Sequence, residues 1–287
     1  MANVLDIRRR VRSVKNTQQI TKAMKMVSAS RLRRASEKAV ASRPYTEKLF
    51  EMHHSILDKL EQPKGEFYQV KEGKVLLVVV AGDKGLCGSF NSNIFKRAEQ
   101  IIQSVGPDDI EIMPVGKKAV AEYKKPGYTT VEGFSGIFRG LDRHVAVEVQ
   151  EKVLEHYRTD RYREVVILYN QFKNVLIQEL REKKILPLVA DKAEIVKGDE
   201  ENQVEHLAEP GLQEILNELA PRVVFINLFQ ALLDSTASEH AARMTAMDAA
   251  TNSAVEMEER LTLEMNKARQ AAITTELIEI VSGAAAL

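Results

Sequence analysis

Residues 222–282 contain neither glycine nor proline. Ala, Glu, Leu, Met, Arg and Gln dominate the run, and these are strong helix formers. As one helix it is roughly 90 Å long, at about 1.5 Å rise per residue. That exceeds the width of any domain this chain can build, so the helix needs a partner along its length. The first 43 residues also lack glycine and proline and supply the candidate. The expected architecture is mixed, α+β and α/β. A long antiparallel coiled coil of N- and C-terminal helices (1–60 and 211–287) joins a central Rossmann-like α/β domain (74–205).

Composition narrows the class. Hydrophobic residues make up 44% of the chain, enough for a real core. Trp is absent, which fits extended helices better than a compact globule alone, and the formal net charge of zero gives no indication of a general polyanion binder. The balance hides an asymmetry: residues 1–43 hold twelve Lys or Arg against two acids, Asp6 and Glu37. The single cysteine, Cys87, excludes an intrachain disulfide and points to a reducing compartment. No window approaches eighteen apolar residues, so no membrane span is expected. The N-terminus lacks a signal peptide's apolar segment. Its Arg-rich, acid-poor start admits a transit peptide, but the helical pattern runs on past any cleavage point.

Along 4–43 the apolar residues Val4, Ile7, Val11 and Val14, then Ile20, Met24 and Val27, then Leu32, Ala35 and Ala39 form helical stripes. Phase slips separate them, rather than strict heptads. Pro44 predicts a kink or a boundary. Residues 75–80 are a continuous apolar run, the mark of a strand buried on both faces. Further strands are expected at 110–115, 128–131, 165–169 and 174–185. Helices are expected from Asn91 or Ser92 to about 104, over 117–124 and over 141–157. The alternation argues a mainly parallel sheet. Pro221 predicts a kink or break in the final helix. Acids at Glu256, Glu258, Glu259 and Glu264 could face a basic partner helix.

Gly82, Gly85 and Gly88 after the first strand invite a phosphate-binding reading. Their spacing matches neither the dinucleotide fingerprint nor the P-loop, and a tight turn is the alternative. No catalytic, metal or cofactor constellation emerges. His53 and His54 read as solvated, and Cys87 as a buried thiol rather than a nucleophile. The basic N-terminal helix could contact nucleic acid, but no aromatic is interleaved before Tyr45, and a protein-facing helix is the simpler account.

Four segments carry a family resemblance. They are Ile20-Thr21-Lys22-Ala23-Met24-Lys25-Met26-Val27-Ser28-Ala29-Ser30 with Ala41-Ser42-Arg43-Pro44-Tyr45; Asp83-Lys84-Gly85-Leu86-Cys87-Gly88-Ser89-Phe90-Asn91; Ser238-Glu239-His240-Ala241-Ala242-Arg243-Met244-Thr245-Ala246-Met247; and Asn266-Lys267-Ala268-Arg269-Gln270-Ala271-Ala272-Ile273-Thr274-Thr275-Glu276-Leu277. In this order they resemble the gamma subunits of bacterial rotary ATP synthases over essentially the whole chain.

The resemblance implies a rotor shaft inside a hexamer of alternating alpha and beta subunits, with epsilon and the c-ring as further partners. It implies a non-catalytic chain without cofactor or metal. Such a chain binds no nucleic acid and is held peripherally, through its partners, at the cytoplasmic face of the membrane. By the same resemblance Met24, Arg243, Arg269, Gln270 and Thr274 contact beta, and residues 283–287 lie in an apolar bearing. His206 and Glu209 contact the c-ring. The alternatives left by the residues alone are a nucleotide-binding enzyme of the α/β domain and a coiled-coil nucleic-acid binder.

Overall fold

The computed structural model describes residues 4–60, 62–188 and 211–285. The elements are α1 (Val4–Asp58), β1 (Lys74–Val80), α2 (Phe90–Val105), β2 (Ile110–Val115) and α3 (Lys117–Tyr123). They continue with a 3-10 turn (Ile137–Arg139), α4 (Arg143–Arg158), β3 (Tyr162–Phe172), β4 (Gln178–Leu186) and α5 (Leu212–Ala285). The chain divides into two compact units, Met1–Ala29 with Arg243–Leu287, and Ser30–Ala242.

Within the Ser30–Ala242 unit the sheet order is β2-β1-β3-β4, with β1, β2 and β3 parallel and β4 antiparallel to β3. β1 is buried on both faces because its neighbours leave no solvent side. Leu76, Val78 and Val80 join a core with Leu49, Ile56, Val149, Val153 and Leu232. Val75, Leu77 and Val79 face Ile94, Ala98, Ile101 and Ile102 of α2. The sheet is therefore the middle of three layers, with α2 and α3 on one face and α1, α4 and α5 on the other.

Several elements depart from the sequence reading. Neither proline breaks its helix: α1 runs through Pro44 and α5 through Pro221. The carbonyls that lose a donor belong to Val40 and Asn217, and both residues are exposed, so solvent can reach them. The 174–185 strand starts late, at Gln178, because the Asn174 carboxamide oxygen accepts from the amides of Leu176 and Ile177 (both 2.9 Å) and closes a turn. Residues 128–131 make one isolated bridge, Thr130 to Ile112, rather than a ladder strand. Asn91 does not cap α2, which begins one residue earlier; its side chain reaches back to the Gly82 amide (2.9 Å). One α5 window does have a mean hydropathy of 1.2 with few charges, but 56% of it is buried, as suits a core helix.

His53 is buried, not solvated. Tyr68 Oη donates to the Leu216 carbonyl (3.1 Å), so its remaining partner, His53 Nε2 at 3.0 Å, is the donor. His53 therefore carries its proton on Nε2. Burial, aided by the neighbouring His54 charge, lowers its pKa to about 4.

Candidate functional site

The burial pattern of α1 is a seven-residue repeat as far as Ile56, with only Leu57 buried outside it. Ile7, Thr21, Ser28, Ala35, Leu49 and Ile56 are buried in one phase, and Leu32, Ala39, Thr46 and His53 in the other. The intervening members, Val11, Val14, Gln18, Lys25 and Ser42, are half-buried. The expected phase slips are absent: Ile20 and Val27, placed on the stripe by their hydrophobicity, are 60% and 51% exposed. A seven-residue repeat is the register of a left-handed coiled coil. In α5 the same spacing holds at Met247, Ala254 and Leu261.

The unit formed by Met1–Ala29 and Arg243–Leu287 shows the pairing directly. Lys25 Nζ lies 2.6 Å from Asp248 Oδ1, and Lys15 Nζ lies 3.6 Å from Glu258 Oε1. Between them the hydroxyls of Thr21 and Thr251 meet at 2.8 Å. Thr21 gives its own proton to the Gln18 carbonyl, so Thr251 is the donor across the seam, sharing that proton with Met247 O. Positions rise on α5 as they fall on α1, so the two helices are antiparallel. Small side chains at Ser28, Ala254 and the two threonines let the backbones lie close. The Lys25–Asp248 pair is nearly half exposed at each side chain, so it fixes register more than it stabilises.

This register brings the first turn of α1 level with Arg269. Beyond that point α5 has no helical partner from α1 among the described residues, and residues 269–282 are all exposed. Ile273, Leu277, Ile278, Ile280 and Val281 present apolar side chains there. Arg269, Gln270 and Thr274 therefore share one bare helix end. The Thr274 hydroxyl donates to the Gln270 carbonyl (2.9 Å), leaving its lone pairs outward. Met24 is half-buried at the seam. Arg243 is buried, 5% exposed, and lies five residues before Asp248, about 7 Å along the axis. It is not on the open surface with the other candidates. His206 and Glu209 lie outside the described residues.

The glycine-rich loop after β1 is anchored through Asp83 to distant parts of the chain. Asp83 Oδ1 accepts from the amides of Lys117 (2.9 Å) and Gly136 (3.0 Å), and Oδ2 from Phe138 (3.3 Å). The loop's own carboxylate is thus tied to three amides from outside the loop, at Lys117, Gly136 and Phe138. Gly116 is required beside it: φ is +100°, and a Cβ would fall 1.9 Å from the Ala81 carbonyl oxygen. Cys87 is buried, with Asn91 Nδ2 3.3 Å from its sulfur. Two of the sequence segments singled out above also meet here, because the Glu239 carboxylate packs against Gly82. Among the described residues no group of three His, Cys, Asp or Glu is placed to hold a metal.

The fold class is that of a coiled-coil subunit with an α/β unit between its two helical ends. The ATP synthase family model matches residues 3–287. An ATP synthase gamma chain of Geotalea daltonii is 44% identical, covering 99% of this chain and 98% of the relative. That of Salinibacter ruber is 40% identical, covering 100% and 99%. Among solved structures, a chain of the Tetrahymena thermophila mitochondrial ATP synthase central stalk and c-ring is 26% identical. It matches with a TM-score of 0.62 over 80% of this chain and 99% of that one. A chain of the Euglena gracilis mitochondrial ATP synthase matches in fold with a TM-score of 0.71 at 22% identity, over 99% and 94%. The chain belongs to the gamma-chain family of ATP synthases.

Proposed function

We infer that this chain is the central rotor shaft of an ATP synthase. Its helical pair turns inside a hexamer of alternating alpha and beta subunits. The α/β unit, with epsilon, docks on the c-ring. Proton flow turns the ring and shaft, and the shaft drives each beta subunit through its conformations, so that ATP is made on beta; hydrolysis drives the reverse. The chain performs no chemical step itself. It is held peripherally at the cytoplasmic face of a bacterial membrane, through its partners.

The observation that carries this reading is the bare end of α5. A helix that outruns its intrachain partner and exposes Ile273, Leu277 and Ile280 needs a surface outside the chain. Gln270 and Thr274 then contact beta from the same end, with Arg269 as the cation. Met24 contacts beta from the seam, whereas Arg243, buried within the chain, does not touch beta directly. His206 and Glu209 contact the c-ring. The exposed arginines of α1, among them Arg8, Arg9 and Arg12, suit weak, reversible contact with acidic loops.

The test is reconstitution. The isolated chain hydrolyses no ATP, and adding cognate alpha and beta subunits yields a complex in which hydrolysis turns it. Robust turnover by the isolated chain, or a hexamer that excludes it, ends the reading. Millimolar ATP binding by the chain alone would instead favour a nucleotide site in the α/β unit, against the Asp83 arrangement.

A further inference from the structure

Residues 231–239 of α5 are all buried, and five of these nine are polar: Asp234, Ser235, Thr236, Ser238 and Glu239. A helix buried all round is ordinarily apolar all round. Here the polar groups reach three other elements of the Ser30–Ala242 unit. Ser238 Oγ donates to the Asn170 carbonyl of β3 (3.1 Å). Arg43 of α1 donates to the Phe172 carbonyl of β3 (2.8 Å) and stands 3.6 Å from Asp234 Oδ1. Ser42 donates to Gln230 Oε1 (2.6 Å), and Gln230 Nε2 donates back to the Ala39 carbonyl (3.3 Å). At the end of β1, a Cβ on residue 82 would fall 2.8 Å from Glu239 Cδ.

The polarity is not there for stability. Asp234 Oδ1 and Asn170 Nδ2 are buried without a hydrogen bond. A buried charge pair is commonly replaced by apolar side chains at no loss of stability. What directional bonds supply, and apolar contact does not, is a fixed orientation. A helix lying on a sheet through methyl groups alone can roll by small repackings. One tied by the Ser238 hydrogen bond, the Ser42–Gln230 pair and the Arg43–Asp234 charge contact, with Glu239 packed against Gly82, cannot roll without disrupting these contacts.

We propose that this buried polar cluster is the torsional anchor of the rotor, with Arg43, Asp234 and Ser238 as its positioning residues. It fixes the rotational register of α1 and α5 on the sheet, so that torque delivered to the α/β unit reaches the helices without slack. The proposal rests on the rotor-shaft reading above.

The test uses the intact ATP synthase with a probe on Leu176→Cys, an 82% exposed site in the β3–β4 turn. ATP-driven rotation is followed one molecule at a time, and the angular variance of the probe is read during each dwell. Arg43→Met/Asp234→Leu keeps the melting temperature of the isolated chain unchanged or raises it. The ATP hydrolysis rate is also unchanged. The angular variance rises about twofold, because removing members of a mutually reinforcing network loosens the rest. Should the double variant fail to assemble, Ser238→Ala decides, with a broadening of about a quarter from one lost tie in the same network. Unchanged variance in an assembled variant overturns the anchor while leaving the rotor reading intact. A wild-type probe that does not rotate at all overturns the rotor reading instead.

Discussion

Acid should reverse the stability ranking of the natural chain and a His53→Phe variant. His53 is 3% exposed and neutral, with its pKa lowered from 6.5 to about 4 by burial and the His54 charge. The unfolded chain therefore binds the proton first, and stability falls as pH drops through 6.5 towards 4. Linkage gives a loss of about 2 kcal/mol at pH 5 and about 3 kcal/mol at pH 4 from this site alone. Phenylalanine removes the titration while keeping a ring of similar size in the pocket. It also removes the Nε2–H donor to Tyr68, whose own proton still goes to Leu216 O. That loss costs about 1 kcal/mol at pH 7. The variant is thus less stable by about 1 kcal/mol at pH 7 and more stable by about the same amount at pH 5. Urea unfolding of both chains, followed by the near-ultraviolet tyrosine signal, reads the difference; titrations elsewhere cancel in the subtraction. Parallel pH profiles would refute the buried, neutral imidazole.

Glu111 predicts a second pH effect. It is buried among Tyr162 Oη (2.5 Å), Arg161 (2.9 Å) and Lys74 (3.2 Å). Burial alone would raise its pKa, but these partners outweigh it and hold the carboxyl below its ordinary value. Its contribution is present above the unfolded pKa near 4.5 and is lost as pH falls below it. Glu111→Gln should destabilise by about 2–3 kcal/mol at neutral pH, with the gap closing in acid; a constant gap in urea unfolding would contradict the assignment. On the seam, Val27→Gln should be neutral within about 0.5 kcal/mol, whereas Ser28→Gln should weaken the chain by about 1–3 kcal/mol through overpacking. Equal thermal shifts for the two would refute the seven-residue repeat. Gln270→Ala/Thr274→Ala should leave the melting temperature of the isolated chain untouched, because both side chains are exposed, and should slow ATP synthesis by the complex. Unimpaired synthesis would remove these two residues from the beta contact.

Strongly apolar elements could be read from the sequence, and polar ones could not. The run at 75–80 announced β1 because a strand buried on both faces has no room for polar side chains. The helical seam was harder, since Thr21, Ser28, Thr46 and His53 occupy buried positions where hydrophobicity finds nothing. Ile20 and Val27 attract the eye and face solvent. The signal that could have found the seam is the recurrence of small residues at 21, 28, 35 and 42. The turn at Asn174 escaped because its side chain, not its neighbours' polarity, ends the strand. Arg269, Gln270 and Thr274 came together through the family resemblance alone, since no pattern of polarity or spacing marks them out. The burial of Arg243 depends on packing from elements distant in sequence, which no local pattern encodes.

The seam also constrains how the chain is made. Lys25 and Asp248 are separated by 223 residues, and Thr21 and Thr251 by 230. During synthesis the first helix therefore emerges long before its partner exists, and its paired face stays open while the α/β unit folds. A face of leucine and isoleucine would invite association with another nascent copy during that interval. Over residues 21–28, where the face is threonine and serine, it has little to offer a stranger. The same small residues that let the finished helices lie close make that stretch of the unfinished chain a poor site for association until its last quarter leaves the ribosome.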